Sequence, residues 1–348
     1  STDNKAGSGK GLFGYVGANA EIFDFTVDKS CSIDGYQRVG MIAGISSGKI
    51  HDIVNYGNVT ANSMTAVGGI VGYGEEGAQV YNCENHGAVT ALKNNAAGGI
   101  IGNYEADRVL IHHNVNRGKV MAKGSCGGII GSTKGNPGYD NVNYGEVEST
   151  TTNAGGIIGY LWTQKDECIT VLNCKNYGDV KAATTSAGGI VAQLFRQQRV
   201  ENCENHGNVT AGTNEAGGIV GTAADYAHEL VNVTNYGAVK GAANVGGIIG
   251  NSKSTLKNPA TLRGARNYGD VTGTKNDVGG IFGIMRGFTV EDSFNAGNVS
   301  GTYEVGGIAG YAYYDIGGNH IRRCFNVGAV SSTGTSATTA WKIGGIIG

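Results

Sequence analysis

Apolar and polar positions recur along this chain with a period near thirty residues, far longer than the repeat of a strand or a helix. An Asn-x-Gly triplet marks the period, with its asparagine at Asn55, Asn85, Asn116, Asn143, Asn176, Asn205, Asn235, Asn267, Asn295 and Asn326. Successive asparagines lie 30, 31, 27, 33, 29, 30, 32, 28 and 31 residues apart. Four residues after each one stands a valine, from Val59 and Val89 to Val299 and Val330, and two further on a small residue such as Ala61, Ala91, Ser149 or Gly273. This alternation reads as a short strand with one face inward. Five residues before the asparagine the column is again apolar, as in Ile50, Val80, Ile111, Val171, Val200 and Leu230, broken only by Gly138. Three residues before it stand turn-formers such as Asp52, Asn82, Asp140, Asn173 and Asn202. Asn and Asp tolerate left-handed backbone and bond their own chain, so this column and the anchor asparagines both read as corners.

Between anchors lies a hexapeptide, VGGIVG at Val67, AGGIIG at Ala97, CGGIIG at Cys126 and so on to IGGIIG at Ile343, with a degenerate copy at Gly9. Its fourth and fifth positions are both apolar, as in Ile70 and Val71, which strict alternation forbids. The paired glycines just before them favour a tight bend there. Each repeat then holds about three short β segments and no helical stretch. One such unit cannot bury its apolar side alone, so the copies are expected to stack. The expected fold is all-β, a parallel β-solenoid of about eleven to twelve coils of 27–33 residues, right-handed by the usual rule. The chain reads as one repeat domain over 1–348, with 1–38 a degenerate N-terminal coil or cap and 39–348 the regular coils.

Composition sharpens this picture: 62 glycines, 2 prolines and 16% charged residues suit closely stacked coils better than an ordinary globular enzyme. A net charge of −2 without a basic stripe argues against nucleic acid as a partner. No run approaches the roughly 18 apolar residues of a membrane span, so no membrane insertion is expected.

The signature Gly11-Leu12-Phe13-Gly14, repeated elsewhere with isoleucine and followed by Asn-x-Gly, resembles GLUG-motif repeats over nearly the whole chain. Such repeats occur in large bacterial surface and secreted proteins, among them immunoglobulin A proteases and adhesins. The resemblance implies an exterior location and an adhesive or scaffolding role. It brings no active site with it: His112-His113 is followed by Asn114-Val115, so the zinc-protease HExxH pattern is missing. No cofactor, metal or catalytic residue is expected.

Seven cysteines include Cys83, Cys174, Cys203 and Cys324 in one register, which reads as a buried slot, not a disulfide framework. The residue after the anchor forms a column containing Tyr144, Tyr177, His206, Tyr236 and Tyr268, read first as a stabilising stack and second as an edge that grips a ligand. Variable segments after the hexapeptide carry Tyr160, Trp162, Tyr311, Tyr313, Tyr314 and Trp341, read as loop aromatics and as the better ligand-binding candidates. Two functions stand side by side: an extracellular adhesin or spacer binding glycan or host protein, and a β-helical carbohydrate-active enzyme. A pair of carboxylates facing each other about 5 to 10 Å apart would mark the enzyme.

The sequence stops at Gly348, the last residue of a fresh hexapeptide. An open last coil would leave unpaired strand edges, so the chain is expected to be part of a longer protein or to make an end-to-end contact. Light scattering tests the contact: a concentration-dependent rise in mass supports it, and a strict monomer from a gene ending at Gly348 contradicts both options.

Overall fold

A computed structural model describes residues 9–62, 65–93, 96–107, 109–162, 168–224, 227–253, 260–313, 318–334 and 342–348. Its strands pair parallel and in register from coil to coil, forming the expected all-β parallel β-solenoid. The chain divides into two compact units, Ser1–Lys165 with Cys174–Asp179, and Asp166–Asn173 with Val180–Gly348.

In the first unit Val59, Val89, Val120 and Val147 are consecutive partners and fully buried, with Ile33 heading the column. Ala61, Ala91, Ala122 and Ser149 follow beside them. Ile22, Ile50, Val80 and Ile111 build a second interior column. The second unit repeats both, with Val180, Val209, Val239, Val271, Val299 and Val330 in one and Val171, Val200, Leu230, Leu262, Val290 and Ile321 in the other. Burying four such side chains per coil contributes on the order of 6 to 12 kcal/mol of gross hydrophobic stabilisation.

The predicted corner three residues before the anchor is left-handed throughout: φ is +53° at Asp52, +52° at Asn82, +53° at Asp140 and Asn173, and +51° at Asn202 and Asp292. The hexapeptide bends where its two apolar positions meet. One strand ends at Gly68 and the next begins at Val71, so Ile70 and Val71 are both fully buried.

Two expectations need correction. A coil holds four or five short strands, not three, as in Ala96–Gly98, Ile101–Tyr104, Leu110–His112, Val115–Asn116 and Val120–Ala122. The anchor asparagines are also not left-handed corners: they end strands and point into the core. Asn55, Asn85, Asn116, Asn143 and Asn176 have no exposed surface, and the Nδ2 of each of the first four donates to the Oδ1 of the next at 2.8 Å. The same Nδ2 donates to the carbonyl two residues ahead, at 2.8 to 2.9 Å for Gly57, Gly87, Gly118, Gly145 and Gly178. In the second unit Asn205, Asn235, Asn267, Asn295 and Asn326 repeat the chain of bonds at 2.7 to 2.8 Å. A buried amide is tolerated only when its donors and acceptor are satisfied, and here the neighbouring coil supplies the missing partner.

The ladder also explains the glycines of the repeat. At Gly99 a Cβ would strike the Asn116 amide, and at Gly118 it would strike the Gly87 carbonyl oxygen. The second glycine of GGI thus makes room for the asparagine, and the glycine of Asn-x-Gly makes room for the stack.

Replacing Asn116 by Ala orphans the Asn85 donor and the Asn143 acceptor and opens a small cavity. Urea denaturation of the full chain should show a loss of about 2 to 4 kcal/mol, against about 0.5 kcal/mol or less for Thr90→Ala on the outward face of a neighbouring strand.

Candidate functional site

Two kinds of outward surface carry the sequence-predicted site residues. The first is aromatic. Tyr56 stacks on His86 at 4.4 Å, Arg117 lies over Tyr144 at 4.5 Å, and Tyr144 stacks on Tyr177 at 4.9 Å. In the second unit His206 stacks on Tyr236 at 4.5 Å and Tyr236 on Tyr268 at 5.2 Å. A second ladder, absent from the sequence reading, lies four residues before the anchors. Phe23, His51, Tyr81, His112 and Tyr139 stack at 5.2, 4.6, 5.1 and 4.9 Å with ring planes within 8° of parallel. Its signal was a run of aromatic types directly before each left-handed corner. In the second unit the matching column turns ionic, with Glu291 held between Arg263 at 3.1 Å and Arg322 at 3.3 Å.

Stacking along the coils has a consequence for recognition. A ring sandwiched between two neighbours shows its edge to solvent, while saccharides and cations favour the ring face. Interior rungs of these ladders therefore cohere more than they grip. Each of these eight ring stacks contributes about 0.5 to 1.5 kcal/mol beyond buried area.

The second surface flanks the glycine bend of the hexapeptide. Tyr160 and Trp162 were expected on a loop, but both belong to the strand Ile158–Trp162, and Tyr311 to the strand Ala309–Ala312. Pairing with the coils before them holds these segments extended, which the sequence alone could not show. Tyr160 is half-buried, and burial raises its phenol above the ordinary range. Lys134 lies over the Trp162 ring at 5.1 Å and pairs with Glu105 at 2.9 Å. Tyr311 meets Tyr313 edge-on at 4.8 Å, with Lys342 over the former and Arg286 over the latter at 5.3 Å each. Tyr314 and Trp341 lie outside the described residues. Tyr160 with Trp162 and Tyr311 with Tyr313 form two groups in different units.

The cysteine column is buried at Cys83, Cys174 and Cys203 and partly so at Cys324, and no disulfide is present among the described residues. Burial pushes the Cys83 thiol up to about 12, which removes it as a nucleophile near neutrality. No group of three or more His, Cys, Asp or Glu side chains among the described residues could hold a metal ion.

Asp277 and Glu304 occupy one column on adjacent coils, each just before a hexapeptide and each left-handed, with φ of +59° and +52°. Asp277 is 6% exposed and bonds Glu304, which in turn pairs with Lys342 at 3.0 Å. Carboxyls bonded directly to one another leave no room for the water or sugar ring that sits between a glycosidase pair.

No family model matches the chain. Halomucin of Haloquadratum walsbyi (strain DSM 16790 / HBSQ001) is 36% identical over 138 residues, which take in 36% of this chain and 1% of halomucin. The chain thus spans a very small part of that relative's length. A crystal structure from Bacteroides ovatus, named "putative immunoglobulin A1 protease", aligns over 97% of this chain and 78% of its own, at a TM-score of 0.35 and 15% identity.

Burial first, then the bond to Glu304 and its charge, pushes the Asp277 carboxyl up to about 7, from an ordinary 3.8. A carboxyl whose folded pKa is raised contributes stability below its unfolded pKa and loses it as pH rises through the folded value. The midpoint of thermal unfolding should therefore fall from pH 4 to pH 8 by more in the wild type than in Asp277→Asn. Equal pH slopes in the two proteins would contradict a shared proton at this pair.

Proposed function

We propose that this chain is a non-catalytic repeat module displayed outside the cell, an adhesin or spacer that presents the same outward columns coil after coil. The observation that carries this reading is the register itself. Outward side chains stand one coil apart in rows, such as the stacked rings from Phe23 to Tyr139 in the first unit and from His206 to Tyr268 in the second, the form of surface that repeat proteins use to meet extended partners. Glycan and host surface protein are the partner classes that suit such rows.

The likeness to halomucin and the GLUG-like signature support an exterior location. The enzyme reading needs a pair of carboxylates set apart across a cleft, and the hydrogen-bonded Asp277 and Glu304 do not offer that spacing.

Incubating the full chain with soluble polysaccharides and with immunoglobulin A1 should yield no new reducing ends and no cleaved heavy chain. Protease treatment of intact cells should remove the protein. Product formation, or full protection of the protein in intact cells, would contradict the proposal.

A further inference from the structure

The columns on either side of the glycine bend face each other, and the two units use that crease differently. In the second unit the columns bond across it: Ser186 meets Thr222 at 3.1 Å, and Asn251 Nδ2 donates to Glu215 at 3.2 Å. In the first unit the opening position is filled by Arg38, lying 4.7 Å over the Tyr73 ring. The next positions of that wall are short. In the register set by Arg38 and Tyr73, Ala66 stands opposite Asn103, Ala96 opposite Ser132 and Ser125 opposite Tyr160.

Asn103, Ser132 and Tyr160 pair one coil apart, continuing from Tyr73, and their side chains are partly exposed. Among the described residues, the Tyr73 and Tyr160 hydroxyls, the Asn103 amide and the Ser132 hydroxyl make no hydrogen bond within the chain. Beyond Tyr73, whose ring Arg38 covers, three in-register polar groups, Asn103, Ser132 and Tyr160, face the small side chains of Ala66, Ala96 and Ser125 and form a shallow trough.

We infer that the trough of the first unit, from Asn103 to Tyr160, binds a linear neutral oligosaccharide. Successive hydroxyl and amide groups one coil apart match the succession of hydroxyls along a glycan chain, whose sugar unit is of comparable length to the strand spacing. Hydrogen bonds orient the sugar, and the partly exposed Tyr160 ring offers its C–H face an apolar surface. An extended peptide fits less well, because both backbone edges of these strands are already paired and only side chains remain to meet it. The row carries no charge to recruit an acidic polymer, and the next outward position adds Glu75 with Glu105 and Lys134 paired to each other at 2.9 Å. This site rests on the reading of the chain as a non-catalytic binding module.

Native affinity gels containing hydroxyethylcellulose, arabinoxylan or dextran test it on the full chain. At least one polymer should retard the wild type. Asn103→Ala with Tyr160→Ala should weaken that retardation by on the order of tenfold or more, and Ala96→Tyr, which fills the trough from the opposite wall, should do the same. Tyr236→Ala, in the edge-exposed ladder of the second unit, should leave it unchanged. Circular dichroism identifies any variant that fails to fold, and the Asn103/Tyr160 pair lies far enough out of the core to serve if Ala96→Tyr does. Retardation by none of the three polymers, or retardation kept by the folded trough variants, overturns the site. New reducing ends with retardation intact would overturn the non-catalytic reading and leave the site standing.

Discussion

The buried asparagine amide is the constraint on which the coil depends. Its Nδ2 closes the turn of its own coil through the Gly carbonyl and links to the next coil through the following Oδ1. Inside a low-dielectric core such a chain of bonds is stronger than the same bonds in water, and each missing rung leaves two orphaned groups. A slip in register by one residue would bury the wrong side chains and expose the amides, so the ladder selects one alignment of coils from many. The valine and isoleucine columns supply the bulk of the burial, but they would tolerate sliding better than the amides do.

Much of this was legible in the residues. Invariant spacing of Val59, Val89 and Val120 from the anchors fixed their shared column, and the Asp and Asn types before the corner announced its left-handed backbone. The inward turn of the anchor asparagine was not legible, because a single coil shows only an amide with half its partners missing. Reading it as a turn residue followed from the local rule. The stacked coil overrides that rule by providing an acceptor about thirty residues away. The count of strands per coil was likewise low, since two-residue strands such as Val115–Asn116 are too short to show alternation.

Site residues were harder still. Size marks Tyr160 and Tyr311 in the sequence, but their placement on strands beside the glycine bend depends on pairing with earlier coils. The ladder of Phe23, His51, Tyr81, His112 and Tyr139 is hidden in the sequence because the column mixes aromatic types and turns ionic in the second unit. Asn103 and Ser132 have no distinguishing feature in the sequence. They matter because Ala66 and Ala96, more than thirty residues earlier, leave the opposite wall low. Function in such a fold arises where an otherwise uniform column changes type, since uniform columns spend their side chains on cohesion.

A double-mutant cycle on adjacent rungs tests the asparagine ladder most directly, with Asn85→Ala, Asn116→Ala and the double variant compared by urea denaturation. The account predicts that the second substitution costs less than the first by about 0.5 to 2 kcal/mol, because the shared bond is already gone. Strictly additive losses, each below about 0.5 kcal/mol, would contradict the claim that the amides act as one ladder.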